Sequence, residues 1–120
     1  MAHTLGVIVA YDRHLAARVR ETFADGLPLR EQPMFGALAF LLGDRMAVAA
    51  SADGGLLVRV DTAQVEQLVR TTAAQPAEMR GRTMRGWVHI DGEHLRSRHQ
   101  LGEWIAIGTE AATSVPSATT

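Results

Sequence analysis

The sequence contains neither cysteine nor lysine, and only 5% of its residues are aromatic. Without cysteine the chain has no disulfides, thiolate nucleophiles or thiolate zinc sites. All 12 basic residues are therefore arginine, a bias that we attribute to a GC-rich genome rather than to selection for arginine chemistry. The formal net charge of -1 provides no overall attraction for nucleic acid.

Long hydrophobic runs are missing as well, since no apolar stretch approaches the roughly 18 residues that a membrane helix needs. The apolar stretch "LGVIVAY" has no basic region before it and no small-residue cleavage site after it, so it does not resemble a signal peptide. With 47% hydrophobic residues, the 120-residue chain is apolar enough to fold as one domain. We therefore expect a soluble cytoplasmic protein with no membrane segment.

Motifs of enzymes are also missing from the sequence. It contains no Gly-x-Ser-x-Gly elbow, no phosphate-binding P-loop and no GxGxxG. Asp12, His14 and the four serines have no spacing that argues for a triad, although triads form in space rather than in sequence. We therefore expect a protein that is not an enzyme and that carries no cofactor.

Three segments have apolar residues at helical spacing. The N-cap candidates of these helices are Asp12, Asp61 and Ser97, and glutamine follows the last two at the capping-box position. We expect the first helix to end at Gly26 and the second near Pro76. The apolar stripes consist of Leu15, Ala16, Val19 and Phe23 in the first, Val65, Leu68, Val69 and Thr72 in the second, and Leu101, Trp104, Ile105, Gly108 and Ala112 in the third.

Five strands are predicted between these helices. Residues 35–42, 45–51 and 55–61 follow the first helix, separated by the turn sequences "GDR" and "ADGG". The segment "AEMRGRTMRGWVHID" contains the fourth and fifth strands, joined near Gly81 or interrupted by a bulge there. The order α-β-β-β-α-β-β-α predicts an α+β fold with a mainly antiparallel five-stranded sheet.

Five segments in series resemble a known family. "AYDRHLAARVRETF", "MFGALAFLLGDRM", "LLVRV", "GRTMRGWVHID" and "LGEWIAIG" are similar, in order and spacing, to the N-terminal domain of the TfoX/Sxy family, named for regulators of bacterial competence. The resemblance spans roughly residues 10–108 and implies the same element order. It also implies a regulatory or adaptor protein rather than an enzyme, because the family's named members act on transcription of DNA-uptake functions. It supplies no catalytic residues.

The resemblance suggests how the chain is organised. Full-length competence regulators carry a second, C-terminal domain, whereas we expect this chain to be a stand-alone N-terminal domain. We interpret residues 1–9 as an N-terminal extension, residues 10–112 as the TfoX N-terminal-like domain and residues 113–120 as a flexible tail. The triplet Met34-Phe35-Gly36 is interpreted as a fold signature rather than a functional loop.

The candidate binding residues cluster around the segment "MRGRTMRG". Arg80, Arg82 and Arg85 flank two glycines there, and Arg59 is a candidate neighbour on the mixed face of the third predicted strand. Trp87 is expected to be partly exposed beside them, a composition typical of a protein interface. The favoured hypothesis is a surface for a protein partner, which is compatible with a homodimer. The alternative is an anion or nucleic-acid site. A third interpretation is a solvent-exposed hairpin that binds nothing.

A metal site is the weakest alternative. Its candidate ligands are His89, Asp91, His94 and His99. His89 and Asp91 would point to one face of a strand, but His94 and His99 are five residues apart, a poor spacing for joint ligation from one helix. No HExxH motif occurs, so ordinary exposed histidines are the preferred interpretation.

Overall fold

A six-stranded antiparallel sheet and three α-helices form the computed structural model, which describes residues 11–23, 26–34 and 36–114. The helices are α1 (Arg13–Thr22), α2 (Val65–Thr71) and α3 (Arg98–Thr113). The strands are β1 (Leu29–Met34), β2 (Ala37–Leu42), β3 (Arg45–Ser51), β4 (Leu56–Arg59), β5 (Gln75–Met79) and β6 (Arg82–Ile90). Their order across the sheet is β1-β2-β3-β4-β6-β5, and every neighbouring pair is antiparallel. The predicted α+β class is confirmed.

The prediction of five strands is wrong, because β1 forms a sixth strand at one edge of the sheet. Its sequence LREQPM is polar, and its four middle residues are exposed. An edge strand pairs on one side only, so it tolerates charged residues and the missing N–H of Pro33. The turn from β1 to β2 contains Met34 and Gly36, whereas Phe35 lies outside the described residues. The strand predicted from residue 35 therefore begins at Ala37.

The face of the sheet that packs against the helices contains the main core. Leu56, Val58 and Val60 are buried there, as the alternation in β4 predicts. The predicted stripes of the first and third helices are buried. The predicted end of the first helix at Gly26 is wrong, because α1 ends at Thr22 and the buried Phe23 is its C-cap. Phe23 stacks on Phe40 of β2, with the two ring centroids 6.0 Å apart. At about 25 cal/mol per Å², burial of such side chains is the dominant stabilisation of a fold of this size.

The third helix begins as the sequence predicts. The Ser97 hydroxyl accepts a hydrogen bond from the Gln100 N–H at 2.9 Å, and the Gln100 side chain accepts one from the Ser97 N–H at 3.1 Å. This reciprocal pair is a complete capping box. The helix then continues to Thr113, one residue into the predicted tail. The rest of that tail from residue 115, and the predicted extension at residues 1–9, lie outside the described residues.

The second helix differs from its prediction at both ends. The Asp61 carboxylate accepts a hydrogen bond from Ala63 N–H and begins a short 3-10 helix (Thr62–Gln64), so the predicted capping box with Gln64 does not form. Only then does α2 start, without a side-chain cap. Pro76 does not end the helix, because it lies inside β5, where an edge position tolerates proline.

The other face of the sheet carries a smaller apolar cluster. Ala37, Ala39, Leu41 and Ala49 are buried in it, with Met34, Met46 and Leu57 packed around them. On the same face, β4 and β6 contribute two cross-strand pairs: Arg59 lies opposite Trp87, and Leu57 lies opposite His89. None of the helices in the described part of the chain is long and apolar enough to span a membrane.

Candidate binding surface

The predicted arginine segment is a hairpin formed by β5 and β6. Arg80 and Gly81 connect the two strands with φ values of 55° and 79°. Positive φ at both central residues is the signature of a type I′ turn, whose twist matches that of the paired strands. The structure thus selects the hairpin from the two alternatives that the sequence left open. Within the described ranges, Arg80 is the one residue other than glycine with a positive φ.

Arg80, Arg82 and Arg85 are all exposed on this hairpin, and we call them the hairpin arginines. None of them forms a salt bridge with an acidic residue of the described part of the chain. The register of β5 against β6 shifts between Pro76 and Glu78, so the strand pairing is irregular within the hairpin. The hairpin arginines therefore present three charges to solvent.

Arg59 occupies a different environment, against the indole ring of Trp87. The two residues lie directly opposite each other on β4 and β6, and the guanidinium carbon is 5.0 Å from the ring centroid. Arg59 Nε donates a 2.6 Å hydrogen bond to the Met46 carbonyl. Burial lowers the pKa of Arg59, and the nearby charge of Arg45 lowers it further. The structure thus holds the half-buried guanidinium of Arg59 in one orientation. It lies beside Trp87, which follows Arg85 by two residues on β6, at the base of the hairpin.

The expected exposure of Trp87 is wrong. The residue lies on the predicted face with His89, yet only 7% of its surface is accessible. The guanidinium of Arg59 covers the ring in a cation–π arrangement, a contact between strands that alternation within one strand does not reveal. Trp87 therefore supports Arg59 rather than offering a free aromatic surface.

Of the four metal candidates, the structure brings His89 and Asp91 together, whereas His94 and His99 lie beside other carboxylates. His89 lies between two carboxylates, with Nε2 3.5 Å from Asp53 Oδ2 and Nδ1 3.5 Å from Asp91 Oδ1. His94 is instead 3.1 Å from Glu93, and His99 is 3.3 Å from Glu103 on α3. In the part of the chain that the structure describes, no three His, Asp or Glu side chains are placed to share a metal ion.

Asp53 and Arg45 are neighbours of the predicted site residues that sequence reasoning missed. Asp53 holds the β3–β4 turn, where its carboxylate accepts hydrogen bonds from Ser51 Oγ and from Gly55 N–H. The Ser51 hydrogen bond is the main cause that lowers the pKa of Asp53. The turn sequence "SADGG" could have indicated this role, because aspartate commonly bonds backbone N–H groups two residues on. Arg45 carried no such signal, since its position depends on the pairing of β3.

A separate cleft lies between α2 and α3. Its volume is about 290 Å³, and its lining includes Asp61, Leu68, Ile107 and Glu110. Two carboxylates and an apolar floor are present, but none of the predicted binding residues lines it. This cleft and the arginine surface are therefore separate features of the molecule.

Comparison with known families connects this architecture to a group of proteins. A family model described as the TfoX N-terminal domain matches residues 21–112. The chain belongs to the TfoX N-terminal domain family. The matched range of this TfoX N-terminal domain includes the entire sheet, α2 and all three hairpin arginines. No curated protein and no solved structure matches the chain.

Proposed function

We propose that this TfoX N-terminal domain is a non-enzymatic regulatory or adaptor module that acts in the cytoplasm by binding a protein partner. The contact surface would consist of the hairpin arginines, with Arg59 and Trp87 at its base. Membership of the family supports a competence-regulator-like role. The observation that carries the proposal is the set of exposed guanidinium groups on one hairpin without carboxylate partners among the described residues.

The backbone at the turn gives further support. A left-handed conformation costs an L-residue other than glycine roughly 1–2 kcal/mol, and asparagine or glycine is the usual choice in a type I′ turn. Arg80 nevertheless occupies this position with φ 55°. Local strain of this kind is concentrated at functional positions, which motivates a role for the Arg80 side chain in binding.

A protein partner is favoured over nucleic acid for two reasons. Single-stranded nucleic acid is usually bound by stacking of bases on exposed aromatic rings, and Trp87 is buried beneath Arg59. The chain also has a net charge of -1 and so offers no overall attraction for phosphates. Guanidinium groups bind carboxylates in bidentate fashion equally well, and an acidic protein surface supplies such carboxylates.

Capture from native lysate tests the proposal. The untagged domain, immobilised and treated with nuclease, is expected to retain a specific protein that mass spectrometry identifies. The triple variant Arg80→Gln, Arg82→Gln, Arg85→Gln should lose that protein. A matched control, Arg13→Gln, Arg30→Gln, Arg96→Gln, removes the same charge from exposed arginines that form no salt bridge in the described part of the chain. Equal retention by both triple variants would refute the proposed surface.

The same capture separates the alternatives. If only nuclease-sensitive material is recovered, the hairpin arginines bind nucleic acid instead, and binding should then weaken steeply with salt. If the captured protein is the domain itself, the surface is a homodimer contact, which the mass of the complex in solution would report. Both outcomes depend on the hairpin arginines and are distinguished by the identity of the captured molecule.

A further inference from the structure

Arg59 has its guanidinium group fixed on two sides. Its Nε donates to the Met46 carbonyl at 2.6 Å, and its guanidinium carbon lies over the Trp87 ring, 5.0 Å from the ring centroid. These contacts use one donor and one face, and they leave the terminal edge formed by Nη1 and Nη2. Two parallel N–H groups on such an edge match the two oxygens of a carboxylate. Because the side chain is already oriented, little rotational entropy remains to be lost on binding.

Arg45 adds a second positive charge to this environment. It immediately precedes Met46 on β3, and its Nε atom is buried without a hydrogen-bond partner among the described residues. A buried donor left unpaired costs about 1–3 kcal/mol, so it marks a position where an acceptor would be stabilising. The charge of Arg45 also lowers the pKa of Arg59. In the described ranges, neither arginine has a carboxylate within salt-bridge distance.

We infer that the oriented guanidinium of Arg59 is a binding site for one carboxylate, supplied by an aspartate or glutamate of the protein partner, with Arg45 as a second positive charge in its surroundings. Arg59 would bind both oxygens through its terminal edge, while the positive charge of Arg45 adds to the attraction for the carboxylate. The inference rests on the proposed function only for the source of the carboxylate. A carboxylate is assigned because the proposed partner is a protein; a guanidinium edge also accommodates phosphate, so the titration compares the two anions.

Titration with small anions tests the site without any partner. Sodium acetate, sodium phosphate and sodium chloride are added at constant ionic strength to the ¹⁵N-labelled chain, and the Arg59 Nε–H and Trp87 indole N–H signals are followed by NMR. We expect acetate to shift both signals with saturation and chloride to shift neither. Trp104 is an internal reference, because it lies in the core on the helix side of the sheet and should not respond.

Single substitutions identify the residues that carry the effect. Arg59→Lys keeps the charge but loses the planar edge, so it should weaken acetate binding at least tenfold, and Arg45→Gln, which removes the second charge, should weaken it several-fold. Arg30→Lys is the matched control on exposed β1 and should leave the acetate affinity unchanged. Each variant's amide spectrum reports whether it is folded, and Arg45→Gln provides a second test if Arg59→Lys unfolds the chain.

The outcomes separate this inference from the proposed function. Equal shifts with acetate and chloride, or equal weakening by Arg30→Lys, would mean that the ions only screen charge and would overturn the site. Tighter binding of phosphate than of acetate would overturn the assignment of a carboxylate. If acetate does not bind while partner capture still depends on the hairpin arginines, the inference fails and the function stands. If acetate binds but no partner is captured, the carboxylate site stands and the proposed function fails.

Discussion

At the scale of single residues, the pair Arg20–Glu31 connects α1 to the edge strand β1. Arg20 Nε and Nη2 donate to the two carboxylate oxygens of Glu31 at 2.5 and 2.8 Å. This hydrogen bonding is the main cause that lowers the pKa of Glu31 below its ordinary 4.5. A lowered carboxyl pKa means that the pair stabilises the fold above pH 4.5 and that this contribution is lost as the pH falls through the folded-state pKa.

The pH dependence of this pair gives a prediction. At neutral pH, Glu31→Gln should reduce the free energy of unfolding by about 0.5 kcal/mol, a value kept small because both side chains are partly exposed. The difference from the parent chain should shrink in acid, where Glu31 is protonated. Urea unfolding at pH 7 and at about pH 3 measures both values. Glu110→Gln on α3 removes a carboxylate that forms no salt bridge in the described part of the chain, so a similar pH profile there would contradict the assignment.

The turn residue Arg80 gives a second prediction at this scale. Arg80→Gly relieves the left-handed strain and should raise the free energy of unfolding by roughly 0.5–1 kcal/mol, while Gly81→Ala should lower it by about 1 kcal/mol. Thermal unfolding of both variants tests whether the two changes in the free energy of unfolding have opposite signs. Arg80→Gly should at the same time reduce partner capture. A loss of stability in Arg80→Gly would mean that this side chain stabilises the fold, which contradicts its role as a free charge.

At the scale of elements, α3 approaches β3 closely at Gly108. A Cβ atom on Gly108 would lie 2.5 Å from the Ala47 carbonyl oxygen and 2.8 Å from Val48 Cγ1. Gly102, in the same helix, has no atom within 4 Å of its Cβ position. The two glycines therefore differ in the space around them and not in the helical conformation of their backbone.

This contrast gives a matched pair of substitutions. Gly108→Ala should lower the free energy of unfolding by about 1–3 kcal/mol, because the helix must move away from the sheet. Gly102→Ala should raise it by roughly 0.5–1 kcal/mol through helix propensity alone. Urea unfolding of both variants gives the measurement. If Gly108→Ala were also stabilising, the close approach of α3 to β3 would be wrong.

The elements also show what the sequence could predict. Apolar periodicity and the Ser97 capping box predicted α3, because these signals arise within the helix itself. The same approach missed β1, whose polar residues satisfy an edge position but do not alternate. It also misplaced the start and end of α2, where Asp61 caps a 3-10 helix and Pro76 belongs to a strand. Edge strands and helix ends depend on neighbours that a local pattern does not contain.

Only part of the candidate site could be predicted from the sequence. The hairpin arginines were identified from glycine spacing, and the turn at Arg80–Gly81 agrees with that prediction. The burial of Trp87 and the involvement of Arg45 were not identified, since both arise from the pairing of β3, β4 and β6. Contacts across strands require the register, which a single sequence does not supply.

At the scale of the whole molecule, the two faces of the sheet have different roles. The helices cover one face, and the main core lies between them and the sheet, so that side is occupied by packing. The opposite face combines a small apolar cluster with Arg59, and the β5–β6 hairpin carries the hairpin arginines. We therefore propose that the first face stabilises the fold and that the second face, together with the hairpin, contacts the partner.

The most direct test of this division is the affinity of the captured partner for the purified domain, measured by calorimetry for the parent chain and for the two triple arginine variants. We predict that the substitutions at Arg80, Arg82 and Arg85 weaken binding at least a hundredfold, equivalent to about 2.7 kcal/mol. The control substitutions at Arg13, Arg30 and Arg96 should change it less than threefold. Equal affinities for the two variants would contradict the central claim that the hairpin arginines form the binding surface.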